Sequence, residues 1–254
     1  MIFEQNFIII YIFILGLMAG SFVSVLSSRN LDDWRSILYG RSRCPQCRHT
    51  LTWKELIPIF SFLFQKGKCQ SCQSSISLKY PLLEIICATI FTALYVHFGL
   101  TGYFGAYSLL TIFFLSIIVT DIEEMIIPDH LIILCLIPLL WLTIIEPNLL
   151  FRFYGLVIYT VVIGLLVVPS QGKWMGWADL KLAPILGWLI GYPQAISGLY
   201  SSFVIGAIIG LLIVVISKKT IKAQVPFGPF LLLGFYIALW YGNNLIDWYL
   251  TILG

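Results

Sequence analysis

Charge is what this sequence has least of. Asp, Glu, Lys and Arg together make up 11% of its 254 residues, where a soluble domain carries roughly a quarter. With 59% hydrophobic residues and a mean hydropathy of +0.95, ordinary soluble composition is excluded and a polytopic membrane protein is expected, its first partner the lipid bilayer. The net charge of +3 is too small for the electrostatic footprint of a nucleic-acid binder, so no nucleic-acid partner is expected. No basic segment precedes the first apolar run and no small-residue cleavage site follows it, so that run reads as a retained helix and not a signal peptide. There is no glycine-rich phosphate loop, nucleophile elbow or zinc-protease helix motif, which removes the commonest nucleotide, serine and metalloprotease chemistries.

What is present is apolar length. Runs of roughly 18 to 22 residues, each about long enough to cross a hydrocarbon core, recur near 6–27, 80–98, 103–120, 130–146, 150–168, 197–216 and 228–246, with a sixth run in chain order, 180–192, shorter than usual. The pattern predicts an all-α membrane bundle of about eight transmembrane helices. If spans alternate in direction, 28–79, 121–129, 169–179 and 217–227 share one face. Fourteen of the fifteen cations then sit there (Arg29, Arg35, Arg41, Arg43, Arg48, Lys54, Lys66, Lys68, Lys79, Lys173, Lys181, Lys218, Lys219, Lys222), and Arg152 alone sits opposite. This asymmetry marks the face as cytoplasmic and puts both chain ends outside.

The chain divides into a first helix (1–27), a polar loop (28–79) and a seven-helix region (80–254). The loop is too small for a large core and needs a staple. Cys44-Pro45-Gln46-Cys47 and Cys69-Gln70-Ser71-Cys72 supply four thiolates with the spacing of a tetrahedral zinc site; iron, or two disulfides, are the alternatives, the latter disfavoured in a reducing compartment. His49 could replace one thiolate or be a solvated loop histidine. Cys87 and Cys135 fall in apolar runs and read as small hydrophobes. Gly16, Gly20 and Ser21 form a small-residue surface for close helix packing. Pro226-Phe227-Gly228-Pro229-Phe230 is either a re-entrant lip around a site or a helix start.

Carboxylates in apolar surroundings are costly unless they work or meet water. Asp121 ends the third span and Asp179 opens the sixth, on the same predicted face. Brought together, two carboxylates cannot both ionise cheaply, so one can hold a proton while the other acts as base, which suits activation of water against a peptide bond. Asp121 is placed where a helix dipole disfavours an anion. Asp129, after Pro128, reads as a helix-start or supporting residue, and Glu123 and Glu124 as solvated loop residues. Glu84 is expected to pair with a cation such as Lys79 or Lys181, and Lys181 could instead hold a substrate carboxylate or tune the aspartates. A proton-coupled transporter using the pair as a relay, and a noncatalytic scaffold of a secretion machine docking through its cysteine loop, are the readings from other classes; no convincing inverted repeat favours transport.

Taken in order, Gly16-x-x-x-Gly20-Ser21-Phe22 with Arg29, Cys44-Pro45-x-Cys47, Ile57-Pro58, Gly67-x-Cys69-x-x-Cys72, Tyr80-Pro81 with Glu84, Asp121 with Pro128-Asp129, Gly176-x-x-Asp179-x-Lys181 and Pro226-Phe227-Gly228-Pro229-Phe230 resemble the type IV prepilin peptidases. That resemblance implies a membrane aspartic protease that removes the basic leader of prepilins or type II secretion pseudopilins at the cytoplasmic face, in a bacterial inner membrane. It maps the catalytic aspartates onto Asp121 and Asp179, with Gly176, Lys181, Asp129 and Glu84 in support, and the cysteine tetrad onto Cys44, Cys47, Cys69 and Cys72. It further implies N-methylation of the new N-terminus from S-adenosylmethionine, through residues the sequence does not identify. Two positions depart from the family pattern. Ala178 stands where a glycine usually precedes the second aspartate, and Ser24 where an asparagine is usual, a difference bearing on methyl transfer more than on proteolysis.

Overall fold

In lipid every backbone amide and carbonyl must be satisfied within the segment, which leaves apolar runs the choice of helix. The computed structural model describes residues 2–28, 40–146, 148–217 and 226–253. Among them lie α1 (Ile2–Ser28), the short α2 (Phe60–Phe64), α3 (Lys79–Phe98), α4 (Gly102–Glu124), α5 (Asp129–Ile145), α6 (Leu149–Ser170), α7 (Trp177–Ile190), α8 (Gln194–Ser217) and α9 (Gly228–Leu253). Every predicted span is a helix, and no strand occurs among the described residues beyond two isolated bridges. Six of the helices, α1, α3, α4, α6, α8 and α9, are long and apolar enough to cross a membrane. The 17 residues of α5 and 14 of α7 rise about 26 and 21 Å at 1.5 Å each, short of a core about 30 Å thick, so helix length alone does not carry a count of eight crossings. Arg29, Arg35, Lys218, Lys219 and Lys222, which contribute to the charge asymmetry, lie outside the described residues.

One boundary differs in a way that matters. The third span continues a full turn further than its hydropathy, because nothing breaks the helix before Met125, which takes left-handed φ of 56°, and Pro128, which caps α5. Glu123 and Glu124 therefore lie on the last turn of α4 and not in a loop, and Asp121 sits within the helix.

The chain forms two compact units, Met1–Ser116 and Ile117–Gly254, with the division inside α4. In the first, α1 packs along α3 at Gly16 and Gly20, where an added Cβ would lie 2.5 Å from the Cα atoms of Ala88 and Glu84. The small residues thus serve backbone contact. Cys87 is fully buried, as is Cys135 in the second unit.

In the second unit α7 packs against α5, α6 and α9, and α8 against α9. Arg152, the one cation assigned to the far face, is 5% exposed. Its guanidinium donates to the carbonyls of Leu142 and Glu146 at the end of α5 and of Trp188 near the end of α7, and pairs with the Glu146 carboxylate at 3.1 Å. A cation on unsatisfied C-terminal carbonyls offsets both helix dipoles at once. The Trp188 indole N–H donates to Thr143 Oγ1 at 2.8 Å, so α7 and α5 are tied together at that end. Ile133, Ile137, Leu140 and Ile144, all at least 60% exposed, form an outward apolar stripe at helical spacing, as a lipid-facing surface requires.

Candidate active site and cysteine cluster

Asp179 is placed by a tight return. After α6 the chain turns through Gln171 and Gly172 at left-handed φ of 51° and 79°, then enters α7 through the extended cap residue Gly176. The aspartate occupies the third helical position, 4% exposed, and its Oδ2 accepts from the Gly176 amide at 3.2 Å. This satisfies an orphan amide of the first turn and sets the anion at the positive end of the helix. Its other oxygen, Oδ1, is buried without a partner among the described residues.

Asp121, equally buried, accepts through Oδ2 from the amide of Gly228 at 3.1 Å. Gly228 is the first residue of α9. The stretch that could be a lip or a helix start is a helix start that also holds the site: the Phe230 and Leu231 amides donate to the Phe227 carbonyl, and Phe227 packs on the rings of Phe203 and Phe230 with centroids 5.3 and 5.8 Å away. A Cβ on Gly228 would lie 2.5 Å from Asp121 Oδ2 and 3.7 Å from Asp179 Oδ1. The two carboxylates, 58 positions apart in sequence, come to the same point, and only a residue without a side chain leaves room for both. From the sequence Gly228 was named only as part of Pro226-Phe227-Gly228-Pro229-Phe230 and given no role of its own, although the two prolines around Phe227-Gly228 marked a backbone with a special task.

The remaining candidates take simpler roles. Asp129 begins α5 behind the cap Pro128, and its carboxylate forms a direct ion pair with Lys181 of α7. That pair is exposed, so it is worth at most about 1 kcal/mol, but it joins the starts of the two helices. Glu84 in the first unit accepts from the backbone amide of Ile59 at 2.7 Å, anchoring the loop to α3. The cations offered as its partners were Lys79 and Lys181, and Lys181 is engaged by Asp129.

The two cysteine knuckles are built alike. In the first, the Cys44 amide donates to the His49 carbonyl and the Arg48 amide to the Cys44 carbonyl; in the second, Cys69 donates to Ser74 and Gln73 to Cys69. Arg48 and Gln73, each one residue past its knuckle's second cysteine, share left-handed φ of 59° and 58°. All six cysteines are unbridged. The four knuckle sulfurs lie within 4.8 Å of one another, with Cys44 to Cys72 at 3.9 Å and Cys47 to Cys69 at 4.0 Å. A zinc ion with four bonds of about 2.3 Å needs sulfurs about 3.8 Å apart, so the cluster can hold a metal. Amide hydrogen bonds from Cys47 and Gln46 lower the Cys44 thiol to about 6, whereas burial and the neighbouring thiols push that of Cys47 up to about 11. His49 turns away to Glu55, 3.7 Å between Nε2 and Oε2, and is not part of the cluster.

Residues 14–98 match the bacterial peptidase A24 N-terminal domain and residues 108–211 the type IV leader peptidase family. The chain belongs to the type IV leader peptidase family. It is 35% identical over 248 residues to the prepilin leader peptidase/N-methyltransferase of Bacillus subtilis, covering 95% of this chain and 97% of that protein. The proteins of the same name from Stutzerimonas stutzeri (32% over 269 residues; 93% and 92% covered) and Pseudomonas aeruginosa (30% over 273 residues; 95% and 93% covered) are similar over comparable lengths. No solved structure matches. The leader peptidase match includes both aspartates, whereas Gly228 lies beyond it. The structure also accounts for one departure from the type IV leader peptidase pattern. Ala178 is the second residue of α7 and is not among the residues with positive φ, so its Cβ imposes no strain. Ser24, the other departure, turns its hydroxyl to the Ser21 carbonyl at 2.6 Å.

Gly228→Ala is expected to leave the fold intact, because the added methyl meets a side-chain carboxylate and not backbone. Displacing that carboxylate by a fraction of an ångström to an ångström should reduce activity about 10²-fold, measured as prepilin cleavage alongside thermal unfolding in detergent.

Proposed function

We propose that this chain is a multi-pass membrane aspartic endopeptidase that cleaves the leader from type IV prepilins or type II secretion pseudopilins and then methylates the new N-terminus. The convergence of Asp121 and Asp179 on Gly228 carries the reading. One carboxylate takes a proton from water as its oxygen attacks the scissile carbonyl, and the other, protonated, gives its proton to the departing amine. The backbone amides of Gly176 and Gly228 hold one oxygen of each, leaving the other oxygens for water and substrate. Lys181, with Asp129, keeps the start of α7 against the start of α5 and so supports Asp179 from outside the reacting atoms.

The charge asymmetry supports a cytoplasmic active face with both termini outside, and eight crossings in which α5 and α7 are the short ones. The division into first helix (1–27), cysteine loop (28–79) and seven-helix peptidase region (80–254) belongs to the same reading. Cys44, Cys47, Cys69 and Cys72 would hold a zinc ion, whose chemistry is to fold a loop too small to fold alone. Glu84, gripping the Ile59 amide, would support that loop and not the cleavage step. S-adenosylmethionine supplies the methyl group. Membership of the type IV leader peptidase family does not favour the proton relay or the noncatalytic scaffold.

Asp121→Asn and Asp179→Asn, each in lipid with a prepilin substrate, should lower cleavage by at least about 10²-fold, read from the mass of the pilin product; cleavage at the parental rate in either variant would overturn the mechanism. Elemental analysis of freshly purified protein should find one zinc per chain, and Cys44→Ser should lose it and expose the loop to protease. Metal-free protein with an intact loop would refute the zinc assignment.

A further inference from the structure

The peptidase chemistry occupies the second unit and leaves unexplained a cavity of about 490 Å³ in the first. That volume lies within the range of small-molecule sites. Its walls come from three places: the end of α1 with Ser24, the cysteine loop with Arg41, Arg43 and Glu55, and the first turns of α3 with Tyr80 and Glu84.

Two of the lining groups are buried carboxylates, Glu55 at 7% and Glu84 at 8% exposure. Glu55 Oε2 is fully used, accepting from the Thr52 amide at 2.8 Å and the Thr52 hydroxyl at 2.9 Å. Its Oε1 is buried and has no hydrogen-bond partner among the described residues. A buried carboxylate oxygen left without a hydrogen bond is costly, which makes it a candidate acceptor for a donor that the protein itself does not supply. Hydrogen bonds from Thr52 hold the Glu55 carboxyl below the usual carboxylate range against the opposing effect of burial, consistent with a fixed negative charge. Arg41 and Arg43 bring positive charge to the same walls, and Tyr80 an aromatic ring. Anionic, cationic and aromatic groups around one cavity suit a ligand that carries positive charge, a carboxylate and a flat heterocycle together.

We propose that this cavity binds S-adenosylmethionine, with Glu55 and Glu84 offsetting its positive charge and Arg41 or Arg43 engaging its carboxylate. The inference rests on the methylating half of the proposed function and gives that half a place in the chain. In the transfer the uncharged amine of the cleaved pilin forms the new N–C bond, the methyl–sulfur bond breaks with its electron pair left on sulfur, and the positive charge passes to the methylated nitrogen. Glu55 and Glu84 favour a ligand that arrives cationic and release one that leaves neutral at sulfur, S-adenosylhomocysteine.

The test is equilibrium binding of S-adenosylmethionine to the full chain in lipid nanodiscs, together with ultraviolet crosslinking of the radiolabelled compound and mapping of the labelled peptide. Glu55→Gln keeps an acceptor for Thr52 and should weaken binding at least tenfold while zinc content and thermal midpoint stay at parental values. The crosslink should map within 21–84 in the unsubstituted protein, which decides the matter even if Glu55→Gln fails to fold. Undiminished binding by a folded Glu55→Gln, or a crosslink confined to residues after 116, would overturn this site and leave the proposed function standing. A chain that cleaves prepilin but neither binds the compound nor yields a methylated N-terminus would overturn the methylating half of the function and this inference with it.

Discussion

Two backbone amides, those of Gly176 and Gly228, make the centre of this molecule possible. A buried carboxylate in a chain with so little charge needs a donor, and here each aspartate receives one from the open end of a helix, where four amides have no intrahelical partner. Asp179 takes the amide at the start of its own helix. Asp121 lies near the end of α4, where the dipole works against it, and takes the amide at the start of α9 instead. Helix starts are anion sites by construction, and aiming two of them at one spot lets two carboxyl groups, one of them holding a proton, lie side by side.

Much of the second unit can be understood as support for that spot. The short helix α7 carries Asp179 and is fastened at both ends. At the start, Lys181 meets Asp129; at the finish, Trp188 meets Thr143 and its carbonyl meets Arg152. Because Arg152 also binds the end of α5, the two short helices behave as one clamped element. Gly228 completes the arrangement by occupying no volume where both carboxylates need it. The cysteine loop in the first unit follows a different logic. Among its described residues the buried apolar side chains are Cys44 and Cys69, and two repeated turns carry four sulfurs to metal-binding distance.

The helices were legible because hydropathy in a membrane chain is a direct record of where the backbone must close its own hydrogen bonds. All eight predicted spans are helical, with edges displaced where a local feature, not hydropathy, ends the helix, as at Met125. That Asp121 and Asp179 share a face, and can pair if their helices are neighbours, could be read from charge bias and alternation. Gly228 could not, because a glycine's worth lies in the atoms that surround it, which only the fold brings together. Glu84 shows a related limit: a buried acid suggests a cation, yet one of its partners is the backbone amide of Ile59, and backbone donors leave no trace in composition. Likewise Arg152 counted in the sequence as one stray charge on the far face, whereas the fold makes it the cap of two helices.

The central claim is that Asp121 and Asp179 act as one unit that both takes and gives a proton. The pH dependence of kcat/KM for prepilin cleavage in lipid tests it most directly. A carboxyl pair predicts a bell-shaped profile bounded by two ionisations that belong to the pair; a flat profile, or one with a single ionisation, would contradict it.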